Sequence, residues 1–153
     1  MAAGVAIIKV GAMTEVEMIE KKHRLEDALE AVRAARDSGI VPGGGVALLR
    51  SIGKVEMELE NEDQRIGVEC VINAAREPFR QMALNAGESP DLLENAVASM
   101  PDEMGFDFRV MEPCNMEERG IIDPAKVTIT ALQNAVSAAG TLITTGYAII
   151  EGE

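Results

Sequence analysis

The side chains able to do chemistry are few in this sequence and widely spaced. Asp27 stands within the run from Glu15 to Arg36, about 200° round a helix from Leu25 at ~100° per residue, and so on the polar face. A carboxylate there is by default a solvated surface charge, and it becomes a general base only if a pocket forms over it. Gly43-Gly44-Gly45 follows Pro42. Such a turn either simply redirects the chain or lays backbone N–H groups against a nucleotide at the positive end of the next helix. It fits neither the dinucleotide-binding nor the P-loop pattern. Asp123 directly precedes Pro124, the arrangement of an N-cap carboxylate with proline at the first helical position. His23 has no second His or Cys at ligand spacing and reads as a surface imidazole, so no metal site is expected. Cys70 and Cys114 are too few and too far apart for a disulfide framework or a zinc site, and read as reduced cytosolic thiols.

The chain that must position these groups has 153 residues, a length suited to one ordinary domain. Hydrophobic residues make up 47% and charged ones 26%, which excludes an acidic disordered tail. With 3 Phe, 1 Tyr and no Trp, the core must be built from aliphatic residues and the 9 Met, a composition that favours helices. The formal charge of −12 repels phosphate backbones and anionic membranes, and no basic cluster offsets it, so neither partner is expected. No apolar run reaches the roughly 18 residues of a membrane span and the start lacks a signal-peptide pattern, so the expected location is the cytoplasm.

Local signals then order the chain. Val5 to Val10, between Gly4 and Gly11, reads as a short buried strand. Thr14 and Glu17 form a capping box for a helix over 15–36, with Met18, Leu25, Leu29, Val32 and Ala35 on one stripe and Ser38-Gly39 as its stop. A second helix should run from Val46 towards Lys54. A third, capped by Asn61 and Gln64, spans Glu62 to about Ala86, kinked or split at Pro78 and ended by Gly87. Ser89-Pro90 opens a fourth through Val97. Phe106, Phe108 and Val110 alternate with Asp107 and Arg109 as a strand or hairpin arm. The helix after Asp123-Pro124 is apolar on most of its circumference, which predicts burial, and it should pass Gly140 towards Thr144. Residues 147–150 read as an edge strand.

The order of these blocks carries more than any one of them. E-V-E-M-I-E-K-K-H-R-L-E-D-A-L-E-A-V-R-A-A, then G-I-V-P-G-G-G-V-A-L, then N-E-D-Q-R-I-G-V, then N-M-E-E-R-G-I-I-D-P-A-K-V-T closely resembles the C-terminal part of group I chaperonins of the GroEL type, from Gly4 to about Ile150. The resemblance implies a mainly α, equatorial-domain-like fold with a few short strands. Residues 1–38 would be a segment of the intermediate domain, residues 39–153 the C-terminal half of the equatorial ATPase domain, and Gly39 the hinge between them.

It further implies that Asp27 occupies the position of the catalytic carboxylate, swung onto the nucleotide by hinge closure to orient or deprotonate the attacking water. Gly44 would lie against ribose and base, with Gly43 and Gly45 keeping the turn clear. Asp123 would accept hydrogen bonds from the ribose hydroxyls, and Ile122 would lie near the base. Asp107-Phe108 replaces the family's usual Asn-Ala or Asp-Ala at the adenine-contacting turn, and Phe108, much larger than Ala, would crowd or restack the base. The implied ligands are ATP and Mg in the whole subunit, with none held by this chain alone. Its partners would be other chaperonin subunits, a co-chaperonin and unfolded proteins. The phosphate-binding glycines, the metal-binding Asp and the apical domain are expected to precede Met1. The chain by itself is therefore expected not to hydrolyse ATP, and to dimerise or swap through exposed apolar faces. The alternative is a stand-alone chaperonin-like protein without ATPase activity, acting as an interaction or assembly module.

Overall fold

The computed structural model describes residues 4–147 and 149. The order of elements is α1 (Glu15–Ser38), β1 (Ile40–Pro42), α2 (Val46–Ile52), α3 (Glu62–Asn85), α4 (Pro90–Ala98), β2 (Met104–Asp107), β3 (Glu112–Asn115), β4 (Ile122–Pro124) and α5 (Ala125–Ile143). Helices dominate, as the composition predicts. The strands form two separate antiparallel ladders, β1 with β4 and β2 with β3.

Local chemistry fixes the helix ends. The Thr14 hydroxyl accepts from the Glu17 N–H at 3.2 Å, while the Glu17 carboxylate reaches back one residue further than a standard capping box, to the Met13 N–H at 3.1 Å. Gly39, at φ 79, ends α1. Asn61 caps α3 through Gln64 N–H at 2.9 Å. Past the other end of α3, Gly87 adopts φ 81, and the Glu88 and Gly87 N–H groups donate to Ala83 and Leu84 carbonyls, the double bond of a Schellman motif.

The core is gathered between α2, α3, α4 and the β2–β3 hairpin. Val46, Phe79, Val97, Phe106, Cys114 and Met116 form it, with Leu49, Leu93, Phe108, Met111 and Ile121 packed around them. Burying a side chain of this kind is worth about 1.5–3 kcal/mol. Two guanidinium clusters tie the layers together. Arg80 bridges α3 to Asp91 and Glu94 of α4 at 2.7 and 2.9 Å, and both contacts push its pKa above the ordinary value. Arg50 of α2 donates to the carbonyls of Val97, Met100, Pro101 and Met104, so that one guanidinium gathers the end of α4 and the turn into β2.

Several expectations are corrected. Val5 to Val10 forms no strand and Val5 is 93% exposed; a β-branched run needs a ladder partner, and none lies beside it among the described residues. Helix α3 is not split at Pro78. The proline removes one hydrogen bond, but Ala75, Phe79 and Ala83 are buried on both sides of it and hold the helix together. The strand read over 106–110 is shorter: β2 stops at Asp107, and 108–111 make the turn. Asp123 is a strand residue paired with Val41, so Pro124 rather than Asp123 stands at the N-cap of α5. Helix α5 passes Gly140 as expected, yet it buries none of its residues, because no second apolar layer lies over it among the described residues. Tyr147 and Ile149 belong to no strand, and Ala148 and Ile150 lie outside the described residues.

Candidate functional site

The β1–β4 ladder brings together the expected nucleotide-facing residues. Ile40 pairs with Pro124, Val41 with Asp123 and Pro42 with Ile122. The next residue, Gly43, continues the contact by donating its N–H to the Ile121 carbonyl at 2.9 Å. Gly43, Gly44 and Gly45 therefore lie side by side with Ile122 and Asp123, although some 80 residues separate them in sequence. Asp123 and Ile122 face solvent, while Gly43 is buried beneath the turn.

Each glycine also has a structural reason to be glycine. A β-carbon on Gly43 would stand 3.2 Å from the backbone of Ile121 and Ile122. Gly44 and Gly45 are left-handed, at φ 62 and 73, a region that costs other residues about 1–2 kcal/mol. Gly44 faces the Met116 methyl group, and Gly45 the backbone of Phe79.

Phe108 and Asp107 stand on the β2–β3 hairpin, where their contacts are with the aromatic core and with Arg109 and Arg119. The Phe108 ring lies 5.6 Å from that of Phe79 and 5.2 Å from that of Phe106, both tilted as aromatic pairs prefer. This half-buried ring is thus part of the core packing. The Asp107 carboxylate accepts from the Arg109 N–H at 2.9 Å and lies 3.8 Å from Arg119. Beneath it, burial pushes the Cys114 thiol pKa up, with the negative charge of Asp107 adding to the effect.

Asp27 is not among these neighbours. It is exposed on α1, and its 12-residue separation from Gly39 corresponds to about 18 Å of helix at 1.5 Å per residue. Helix α1 reaches the site only through its C-terminal end, where the Gly39 carbonyl accepts from Ala125 N–H at 3.1 Å and the Ser38 hydroxyl from Lys126 N–H at 2.9 Å. Sequence reading takes Ser38 only as part of a helix stop. Its bond to α5 spans 88 positions and leaves no local signal.

No three His, Cys, Asp or Glu side chains converge among the described residues. Asp123 and Ile122 present a carboxylate and an apolar side chain to solvent beside a glycine turn that is itself buried or half-buried. They do not make a ligand set for a resident metal. No helix among the described residues is long and apolar enough to cross a membrane.

A long helix joined through Gly39 to a two-stranded ladder and a glycine turn, on a small helical core, defines a mainly α architecture. The chain belongs to the TCP-1/cpn60 chaperonin family, which it matches over residues 1–153. Its fold is similar to that in a crystal structure of a group III chaperonin in the open state, with a TM-score of 0.79 and 29% sequence identity. That similarity covers 92% of this chain and 30% of the other, so the chain spans under a third of that chaperonin's length. The mainly helical chaperonin-type fold expected from the sequence is the fold observed.

Proposed function

We propose that this chain is part of a group I, GroEL-type chaperonin subunit and supplies the ribose and base side of its ATP site. Residues 1–38 serve as the intermediate-domain segment and residues 39–153 as the C-terminal half of the equatorial domain, with Gly39 as the hinge. The observation that carries this reading is the juxtaposition of Gly43–Gly45 with Ile122 and Asp123 across the β1–β4 ladder. Asp123 accepts hydrogen bonds from ribose hydroxyls, the glycine turn and Ile122 border the base, and Asp107-Phe108 closes the far side. Asp27 acts after hinge closure, orienting or deprotonating the attacking water beside the terminal phosphate. Magnesium would neutralise charge on the phosphates in the whole subunit, and its ligands would come from outside the residues assembled at this ladder. The role of the whole subunit is ATP-driven folding of other proteins in a stacked-ring assembly with other subunits and a co-chaperonin.

The surface supports a chain that functions under cover. Its accessible area is 12007 Å², whereas a folded monomer of 16.3 kDa is expected to expose only about 7,500 Å². The same excess also favours a second reading, a stand-alone assembly module that binds chaperonin subunits without hydrolysing ATP. Mixing the chain with a separately expressed N-terminal half of a group I chaperonin, and measuring ATP binding, separates the two. Binding that appears only in the mixture, and weakens on Asp123→Ala, supports the ATP-site reading. Association without ATP binding supports the module. Steady ATP turnover by the isolated chain that vanishes on Asp27→Ala would overturn the expectation that the phosphate side comes from elsewhere.

A further inference from the structure

Helix α5 begins without a cap of its own. Pro124 at its N-cap offers no side-chain acceptor, and Asp123, one residue earlier, is committed to the β4 ladder. The orphan N–H groups of the first turn are met instead from the end of α1. Gly39 O accepts from Ala125, and Ser38 Oγ accepts from Lys126 at 2.9 Å while donating to Ala34 O at 2.8 Å. The hydroxyl is thus a relay between the last turn of α1 and the first turn of α5. It couples the negative end of one helix to the positive end of the other.

Beyond this junction the two helices diverge around an open cleft of about 650 Å³, lined among others by Glu30, Arg33, Lys126 and Asn134. Gly39, left-handed at φ 79 with open space where a β-carbon would stand, is free to turn. The cleft and the glycine allow α1 to swing. The Ser38 bond opposes it.

We propose that Ser38 is a hinge latch: its hydroxyl, by capping α5, holds α1 in the orientation seen here, with Asp27 away from the glycine turn. The meaning of the latch for catalysis rests on the nucleotide-site reading above, but its mechanics do not. A tertiary hydrogen bond of ordinary net strength corresponds to about a fivefold bias in such an equilibrium.

The test uses the 153-residue chain with Cys70→Ser, and spin labels at His23→Cys on α1 and Gln133→Cys on α5. Pulsed electron resonance then reads the distance between the helices. We expect one dominant distance in the background with Ser38 intact, a second population raised about fivefold by Ser38→Ala, and return to the single distance with Ser38→Thr, which restores a hydroxyl. An Ala distribution superimposable on that of the Ser38 background, or one that Thr does not restore, overturns the latch. If the Ala variant does not fold, amide exchange at Lys126 in the unmodified chain decides. Protection supports the bond, and exchange at the unprotected rate overturns it. None of these readouts involves ATP, so a failure of the nucleotide-site reading leaves them unchanged.

Discussion

Gly45 and Phe79 approach so closely that a β-carbon on the glycine would stand 2.9 Å from the phenylalanine's backbone nitrogen. The start of α2 is therefore pressed directly onto the middle of α3, one residue past Pro78. The glycine at this turn is required by the packing alone.

Gly45→Ala combines that collision with a left-handed φ, and should cost about 2–4 kcal/mol. Gly120→Ala is the control. Gly120 has nearly the same φ, 70, but nothing within 4 Å of the added carbon, so only the conformational penalty of about 1–2 kcal/mol applies. Urea midpoints of the two variants measure the difference, and equal costs would show that packing against Phe79 is slack.

Pro78 lies exposed inside a continuous helix, where its missing N–H leaves the Ala74 carbonyl without its helical donor. Pro78→Ala should raise stability by about 1–3 kcal/mol, seen as a higher urea midpoint with an unchanged slope. A fall in stability would mean that the proline ring itself holds α2 against α3.

The two thiols should separate kinetically. Cys70 is exposed on α3, whereas Cys114 is buried 4.0 Å from the Met116 sulfur with its pKa raised by burial and by Asp107. A thiolate-selective reagent at mild alkaline pH should modify one cysteine per chain at once and the second only after urea unfolding. Two fast equivalents would mean that the hairpin opens readily from the core.

Acid should loosen the link between α2 and the start of β2. Asp102 is held below the ordinary carboxylate pKa, first by its bond to Lys54 at 2.9 Å and then by Arg50 at 3.0 Å. A lowered folded-state pKa means that the stabilisation is present above the unfolded value, about 3.9, and is lost as pH falls through the folded one. Asp102→Asn should flatten this acid limb in urea titrations below about pH 4. The difference from wild type should shrink in high salt, because the carboxylate is exposed.

Self-association should strengthen with salt. The chain carries a formal charge of −12, which keeps copies apart. Its apolar residues on α5, among them Val127, Ile129, Leu142 and Ile143, are exposed and invite contact. Sedimentation across concentration should show larger species, increasing as salt screens the charge. A strict monomer at high concentration and high salt would count against cover by a second copy.

The parts of this fold legible in the sequence are those decided within one turn of chain. Thr14, Asn61 and Gly87 mark helix ends because capping acts over three or four residues, and the structure places those ends where the residues indicate. Pairing across distance was not legible. The β-branched run at Val5 looks like a strand by composition, yet a strand exists only with a partner. Asp123 looks like an N-cap beside Pro124, yet its backbone is claimed by Val41 in the ladder. The candidate site has the same division. Gly43–Gly45 and Asp123 stand out individually, and the order of the blocks pointed to the chaperonin family. Their contact arises from strand pairing that no local spacing encodes, and the cap that Ser38 gives to α5 arises the same way.

That ladder also has a consequence for how the molecule comes into being. Ile40 and Pro124 are paired across nearly the whole helical body, so joining them means closing a loop that encloses α2, α3, α4 and the β2–β3 hairpin. Loop closure over such a span costs chain entropy, and the cost is smallest once the enclosed segments are already compact. Residues around Phe79 should accordingly gain amide protection early in refolding and Val41 late. A newly made chain would then bring Gly43 against Ile121 only at the last step of its own assembly, which makes that contact a record of completed folding.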